Sequence, residues 1–239
     1  MRILALDSSG LVATVAIVED NQTIAEYTVN YKKTHSQTLL PMLDEIVKMT
    51  EFDLSTIDAI AVAGGPGSFT GLRIGAATAK GLGLALEKPL IHIPTVDGLA
   101  YNLYGTTGLI CPIMDARRSQ VYTGFYRFED GELQVVEEQM AISVQELVKK
   151  LNQYGEKVTF LGDGVSVYGK DLKNELEVEC CFAPAHLNRQ RAAAIGTLGM
   201  QYYQEGKIET AMEHRPDYLR LSQAEREQAE RERANANHS

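Results

Sequence analysis

The chain has 239 residues, 44% hydrophobic and 23% charged, a composition typical of a globular protein that forms one large domain or two lobes. Its 23 basic and 32 acidic residues give a formal net charge of −9, which argues against direct binding of tRNA or DNA, because phosphate contacts need clustered Lys and Arg. Three cysteines are too few for a disulfide framework or a zinc site. We therefore expect a reducing cytoplasm, with no signal peptide and no membrane segment.

The first half of the chain alternates short apolar runs with polar turns. Strands are predicted over residues 3–6, 11–18, 23–29, 59–63 and 90–93. One helix is predicted from residue 36, with Pro41 tolerated near its first turn, and a second helix over residues 72–86. This order is typical of an α/β lobe.

A second lobe begins near Gly108, where the same order of strand, acidic turn and two strands starts again. Strands are predicted over residues 109–114, 121–128, 133–140 and 157–161 and near Val178, and helices over 143–151, 166–172 and 189–205. Ser143 is the expected N-cap of the first of these helices, with Glu146 at the capping-box position. We infer an internal duplication of two α/β lobes. The charged end of the chain is either a solvated helix extension or disorder.

Two acidic turns stand at matched positions of the two halves. Asp7, Ser8 and Ser9 precede Gly10 in the first turn, and Asp115 follows the equivalent strand in the second. Such turns can present backbone N–H groups to a phosphate and a carboxylate to a hydrated cation, or they can be ordinary hairpin turns. If the lobes face each other, the two turns lie across one cleft.

A glycine-rich segment follows the predicted strand at residues 59–63. Gly64 and Gly65 stand before a helix, a context suited either to phosphate binding at the helix N-terminus or to a stiff structural turn. The segment lacks the Gly-Lys-Ser/Thr ending of a P-loop.

The helix after this loop carries small residues at every fourth position, namely Gly71, Gly75, Ala79 and Gly83. Glycine in a helix costs about 1 kcal/mol relative to alanine, so the stripe implies a close backbone neighbour. That neighbour is either the chain's own sheet or a helix of another subunit.

Catalytic motifs are absent from the sequence. Its histidines, His35, His92, His186, His214 and His238, form no H-x-x-x-H pair, and no serine lies in G-x-S-x-G. Cys180 and Cys181 fit buried structure better than a nucleophile. Arg117, Arg118 and Tyr122 are suited either to recognising an anion or to a solvated hairpin tip.

Four stretches resemble the TsaB/YeaZ family of bacterial tRNA threonylcarbamoyladenosine synthesis: ILALDSS, GGPGSFTGLRIGAATAKGLGLAL, DARRSQVY and PDYLR. The resemblance extends from Met1 to about Leu221. It implies two RNase H-like lobes with mixed sheets and flanking helices, the ASKHA fold of actin, Hsp70 and sugar kinases. The expected division is an N-terminal lobe at 1–106 carrying the dimerisation helices, a C-terminal lobe at 107–221 and a charged tail at 222–239.

The resemblance implies a role without catalysis and without a metal. The family is similar to TsaD, the subunit that transfers threonylcarbamoyl to the tRNA adenosine beside the anticodon, but the present chain lacks the H-x-x-x-H of TsaD. The expected partners are TsaD and the ATPase TsaE, with tRNA contacted indirectly and a homodimer formed by the isolated chain.

The expected partner surface lies on the first two helices and consists of Leu39, Leu40, Leu43, Leu72, Gly75, Ala76, Ala79 and Gly83. Gly75→Leu and Ala79→Leu are accordingly expected to leave the lobes folded and to abolish binding of TsaD.

Two other functions use the same residues. An ATP-dependent phosphotransferase would place Mg-ATP or Mg-ADP between Asp7, Ser8, Ser9, Gly64, Gly65 and Asp115. In that case Arg117 would crowd a phosphate, because the second turn reads Asp-Ala-Arg where kinases of this fold have Asp-x-Gly. A glycoprotease-like peptidase lacks both a metal pair and a nucleophile motif.

Overall fold

The computed structural model describes residues 1–31 and 35–220 and contains two five-stranded mixed sheets. The first sheet has the order β3-β2-β1-β4-β5 and consists of β1 (Arg2–Asp7), β2 (Val12–Glu19), β3 (Gln22–Asn30), β4 (Ala59–Gly65) and β5 (Leu90–Pro94). The second has the order β10-β9-β6-β7-β8 and consists of β6 (Leu109–Asp115), β7 (Gln120–Glu129), β8 (Glu132–Ser143), β9 (Val158–Leu161) and β10 (Cys180–Phe182).

The two sheets share one topology. In each, the first three strands pair antiparallel and the last two add in parallel beside the first strand. The predicted duplication of two α/β lobes with mixed sheets is therefore confirmed.

Within the described residues, six α-helices flank the sheets: α1 (Leu39–Thr50), α2 (Phe69–Leu86), α3 (Thr95–Tyr101), α4 (Val144–Tyr154), α5 (Gly164–Glu175) and α6 (Ala192–Gln204). Short 3-10 turns lie at His35–Gln37 and Leu54–Thr56. Ser68 caps α2 by accepting a hydrogen bond from the N–H of Gly71, so this helix starts earlier than predicted. Ser143 caps α4 through the N–H of Glu146, as predicted. No helix in the described ranges is long and apolar enough to cross a membrane.

The first sheet is covered on both faces. Helix α1 and the apolar side chains of α2 pack against one face, around Leu4, Leu6 and Ile60. Helix α6 packs against the other face, where Ile195 and Leu198 join the core. Since α6 lies within the predicted 107–221 lobe, the second half of the chain contributes a helix to the first sheet. The boundary at 106/107 stays a prediction.

The last described segment, residues 208–220, runs back along the first lobe, and we call it the C-terminal strap. Leu90 and Glu209 exchange backbone hydrogen bonds of 2.8 and 2.9 Å, which attaches the strap to edge strand β5. Further along, the N–H of Asp217 donates to the carbonyl of Gly64 at 2.6 Å, and Arg220 donates to the carbonyl of Ala116. The strap thus connects both lobes. The predicted tail at 222–239 lies outside the described residues.

Candidate functional site

A cleft of about 620 Å³ lies between the lobes. Its walls come from the β1–β2 turn, the β4–α2 loop, the β6–β7 turn and the strap. Among its lining residues are Ser9, Gly67, Asp115, Tyr218 and Arg220. The matched acidic turns therefore do lie near one cleft, although only part of each turn reaches it.

The first turn is used mainly to hold the chain's own elements. Asp7 is 1% exposed and accepts a hydrogen bond of 2.7 Å from the N–H of Ser9. Burial raises the pKa of Asp7 from 3.8 to about 6. The hydroxyl of Ser8 donates to the carbonyl of Gly71 at 2.9 Å, which ties the turn to helix α2. Of the three predicted phosphate contacts in this turn, only Ser9 lines the cleft.

Gly64 and Gly65 make room for other parts of the chain. A Cβ at Gly64 would overlap the ring of His92, and a Cβ at Gly65 would overlap the carbonyl oxygen of Asp217. Gly65 also has a φ of +127°, which disfavours any other residue. Neither glycine lines the cleft, and the strap covers Gly65, so the geometry favours a structural turn, while a phosphate contact at these glycines stays a prediction.

The second turn is occupied by its own side chains. The carboxylate of Asp115 accepts hydrogen bonds of 2.9 Å from the N–H of Arg117 and from the hydroxyl of Tyr168. The guanidinium of Arg117 lies 3.5 Å from the same carboxylate. With Asp7 buried and Asp115 paired in this way, the residues do not fit a magnesium nucleotide held between the two carboxylates.

The predicted partner stripe on α2 faces inward. A Cβ at Gly71 would overlap the carbonyl oxygen of Ser8, and a Cβ at Gly75 would lie 2.7 Å from the Ser8 hydroxyl. At Gly83 it would lie 3.0 Å from the side chain of Leu90. The stripe therefore packs against the chain's own sheet, which is the first of the two alternatives that the spacing leaves open.

Most of the predicted partner residues likewise face the interior of the chain. Seven are buried within the chain: Leu39, Leu43, Leu72, Gly75, Ala76, Ala79 and Gly83. Leu40 is the exception, with 52% of its surface exposed. As a surface for another protein the predicted set stays a prediction, and within this chain only Leu40 of the set is exposed.

A different part of α1 and α2 is open to solvent, and we call it the outer face. On α2, Ala77, Gly81 and Ala85 are exposed at four-residue spacing, and a Cβ at Gly81 would meet no atom within 4 Å. Leu84 is 61% exposed beside them. On α1, Leu40 is also exposed. The outer face thus combines a small-residue stripe with unburied apolar side chains.

Two clusters were not predicted from the sequence. Asp97 in α3 accepts hydrogen bonds from Tyr126 at 2.7 Å and Tyr202 at 3.3 Å, and burial raises its pKa to about 6. His92, Glu209 and His214 come together where the strap meets β5. His92 lies far in the sequence from Glu209 and His214, so no local spacing predicts their meeting, which arises from the contact between the strap and the sheet.

Known structures identify the fold. YeaZ from Pseudomonas aeruginosa superposes with a TM-score of 0.75 at 25% identity, covering 91% of this chain and 99% of that one. An inorganic polyphosphate/ATP-glucomannokinase from Arthrobacter superposes with a TM-score of 0.50 at 14% identity, covering 85% and 99%. The chain therefore has a two-lobed α/β fold that it shares with YeaZ and with this sugar kinase.

Sequence comparison identifies the family within this fold. The family model of TsaD, described as tRNA N6-adenosine threonylcarbamoyltransferase, matches residues 22–228. The tRNA threonylcarbamoyladenosine biosynthesis protein TsaB of Bacillus subtilis is 34% identical over 94% of this chain and 96% of its own length. The protein of the same name from Escherichia coli is 33% identical over 92% and 95%. The chain belongs to the TsaB/YeaZ family.

Proposed function

We propose that the chain is a non-catalytic accessory subunit that binds and activates a TsaD-type transferase during threonylcarbamoylation of the tRNA adenosine beside the anticodon. The names of the Bacillus subtilis and Escherichia coli relatives support a place in this modification. The absence of any H-x-x-x-H pair from the sequence supports a role other than the transfer step.

The outer face of α1 and α2 is the observation that carries the proposal. Helices approach each other closely where small residues recur on one side, because the backbones then come into van der Waals contact. Ala77, Gly81 and Ala85 provide such a surface, and the exposed side chain of Leu84 adds apolar area beside it, with Leu40 exposed on α1. A helix of the transferase would cover this face. In the isolated chain, a second copy would cover it instead and give a homodimer.

The charge of the chain suggests how the assembly divides its work. A net charge of −9 disfavours binding of the tRNA phosphates by this chain. The partner therefore provides most of the phosphate contacts. The ATPase TsaE joins the same assembly in the cytoplasm. Nucleotide chemistry is left to that subunit, in keeping with the occupied turns at Asp7 and Asp115.

Reconstitution tests the proposal. Unmodified tRNA is incubated with TsaD, TsaE and the adenylate-forming enzyme, with and without this chain, and threonylcarbamoyladenosine is quantified by mass spectrometry of the digested tRNA. Modification should depend on the chain and should fall by at least about 10-fold with Gly81→Leu. Lys149→Leu is the matched control, because it places leucine on the exposed side of α4, away from the outer face. Full modification without the chain would refute the proposal.

A further inference from the structure

Three side chains that can bind metals meet where the strap joins the first sheet, and a fourth, that of Asp217, lies beside one of them. His92 lies within β5, and Glu209 stands opposite Leu90 on the same strand. His214 follows five residues later in the strap, and Asp217 lies near the ring of His92. Nothing in the proposed function uses this group.

The geometry of the group is compact. Ligand atoms of His92, Glu209 and His214 lie within 4.8 Å of one another. Nδ1 of His214 is 2.6 Å from Oε1 of Glu209, and Nε2 of His92 is 3.1 Å from Oδ2 of Asp217. His214 is completely buried, whereas His92 and Glu209 retain partial exposure, which leaves an entry route for a small ion.

The hydrogen bonding of the two imidazoles is incomplete. Nε2 of His92 and Nε2 of His214 are both buried and have no hydrogen-bond partner. An unpaired buried polar atom costs about 1–3 kcal/mol, and so two at one place require a reason. Nδ1 of His214 contacts the carboxylate of Glu209, and the other ring nitrogen has no partner, so this histidine retains a donor atom that the protein itself does not use.

The contact between His92 and Asp217 also supports a metal site at this position. Their atoms lie 3.1 Å apart but are not aligned as a hydrogen bond, since Nε2 of His92 has no hydrogen-bond partner. Two ligands of one tetrahedral zinc ion, each about 2.05 Å from the metal, are separated by about 3.3 Å. This separation suits a nitrogen and an oxygen that point toward a common ion.

We propose that His92, His214, Glu209 and Asp217 form a binding site for a divalent cation, with Zn²⁺ as the best match. Imidazole nitrogens favour zinc over magnesium or calcium, and two histidines with carboxylates are an established donor set for it. Two carboxylates balance the charge of the ion, while the ammonium of Lys80 is held by the carbonyl of His214 at 3.0 Å.

Such an ion would fasten the strap to β5. The carbonyl of Asp217 covers Gly65, and the strap continues from this site to Tyr218 and Arg220, which line the cleft. Metal binding at the edge of the sheet would thereby fix one wall of the cleft. The inference rests on the contacts between β5 and the strap and is independent of the proposed function.

The test uses the full chain after treatment with a chelator. Zinc is titrated in competition with a chromophoric chelator, and Co²⁺ is added separately to record the absorption of its coordination shell. One zinc per chain and a tetrahedral cobalt spectrum are expected. His92→Ala should weaken zinc binding by at least about 100-fold and Asp217→Asn by about 10-fold. His186→Ala is the control, because His186 is exposed and lies in the loop between β10 and α6.

Folding of each variant is checked by circular dichroism without metal. His92 packs against Gly64, so replacing it can disturb the sheet. If His92→Ala does not fold, the test relies on Asp217→Asn, because the carboxylate of Asp217 is exposed. The proposal is overturned if the wild-type chain takes up no stoichiometric zinc. It is equally overturned if a folded His92→Ala variant, or Asp217→Asn where His92→Ala is unfolded, binds zinc as tightly as the wild type.

Discussion

The two sides of helix α2 carry small residues at the same four-residue spacing but meet different surroundings. On the inner side, a Cβ at Gly75 would lie 2.7 Å from the hydroxyl of Ser8. On the outer side, a Cβ at Gly81 would meet no atom within 4 Å. The inner glycines are required by the chain's own sheet, whereas the outer glycine leaves space that the chain does not use.

This difference separates two reasons for a small residue in a helix. Periodicity indicates that something approaches the helix closely, but it does not say from which side. Because the two stripes are offset by only two residues, a sequence pattern alone supports either one. The predictions below test whether the inner side serves folding and the outer side serves binding.

The largest effect is expected from Gly75→Leu. The new side chain has no space between α2 and the β1–β2 turn, and overpacking of this kind should lower the free energy of unfolding by about 3 kcal/mol or more. Urea unfolding followed by circular dichroism measures the change. Gly81→Leu is the matched control on the same helix and should be at least as stable as the wild type, since leucine favours helices more than glycine does. Equal stability of the two variants would contradict the proposed difference between the inner and outer sides of α2.

The second effect concerns self-association through the outer face. Gly81→Leu should weaken the homodimer of the isolated chain by about 2 kcal/mol, or roughly 30-fold in dissociation constant, because a leucine keeps the two backbones apart. Sedimentation equilibrium over a range of concentrations gives this constant. Lys149→Leu on α4 should leave it unchanged, and a dimer equally strong in both variants would place the contact elsewhere.

The third prediction concerns the buried Asp7. It precedes Ser8, whose hydroxyl donates to the carbonyl of Gly71 on the inner side of α2. The pKa of Asp7 is raised from 3.8 to about 6, so between these values the folded chain binds more protons than the unfolded chain. Stability therefore falls as pH rises through this range and levels off above it. Between pH 4.5 and 6.5 the wild type should lose about 2 kcal/mol more than Asp7→Asn, as measured by urea unfolding. Asp97, whose pKa is also raised to about 6, should contribute the same slope to both proteins. Identical pH profiles would show that Asp7 is not buried as described.

The smallest effect is expected from Ser8→Ala, which removes the hydrogen bond from Ser8 to the carbonyl of Gly71. The loss should be about 1 kcal/mol, since the carbonyl keeps its place in the helix. Thermal unfolding at a fixed pH measures it. Dimerisation should be unaffected, and a change in the dimer constant would connect the two sides of α2.

The sequence predicts most of the architecture because the strands and long helices carry clear periodic patterns. The short helix α3 was not predicted, because all seven of its residues are buried and it has no polar side to mark it as a helix. The helix end at Ser143 was predicted from the cap chemistry and is confirmed by its contact with Glu146.

The site was harder to predict than the fold. The pattern at Gly71, Gly75, Ala79 and Gly83 correctly indicated close packing, but the direction of that packing depends on how α2 lies on the sheet. Gly64 and Gly65 resemble a phosphate loop locally, yet their neighbours are His92 and the distant Asp217. Contacts made by the strap depend on tertiary structure, and no local spacing could reveal them.

Binding of the chain to the TsaD-type transferase of the same organism tests the central claim most directly. Calorimetric titration would compare the wild type, Gly81→Leu on the outer face and Lys149→Leu on α4, with circular dichroism to verify folding. The outer face predicts that Gly81→Leu binds at least about 30-fold more weakly while Lys149→Leu binds like the wild type. Wild-type affinity for a folded Gly81→Leu variant would contradict the assignment of this face to the partner.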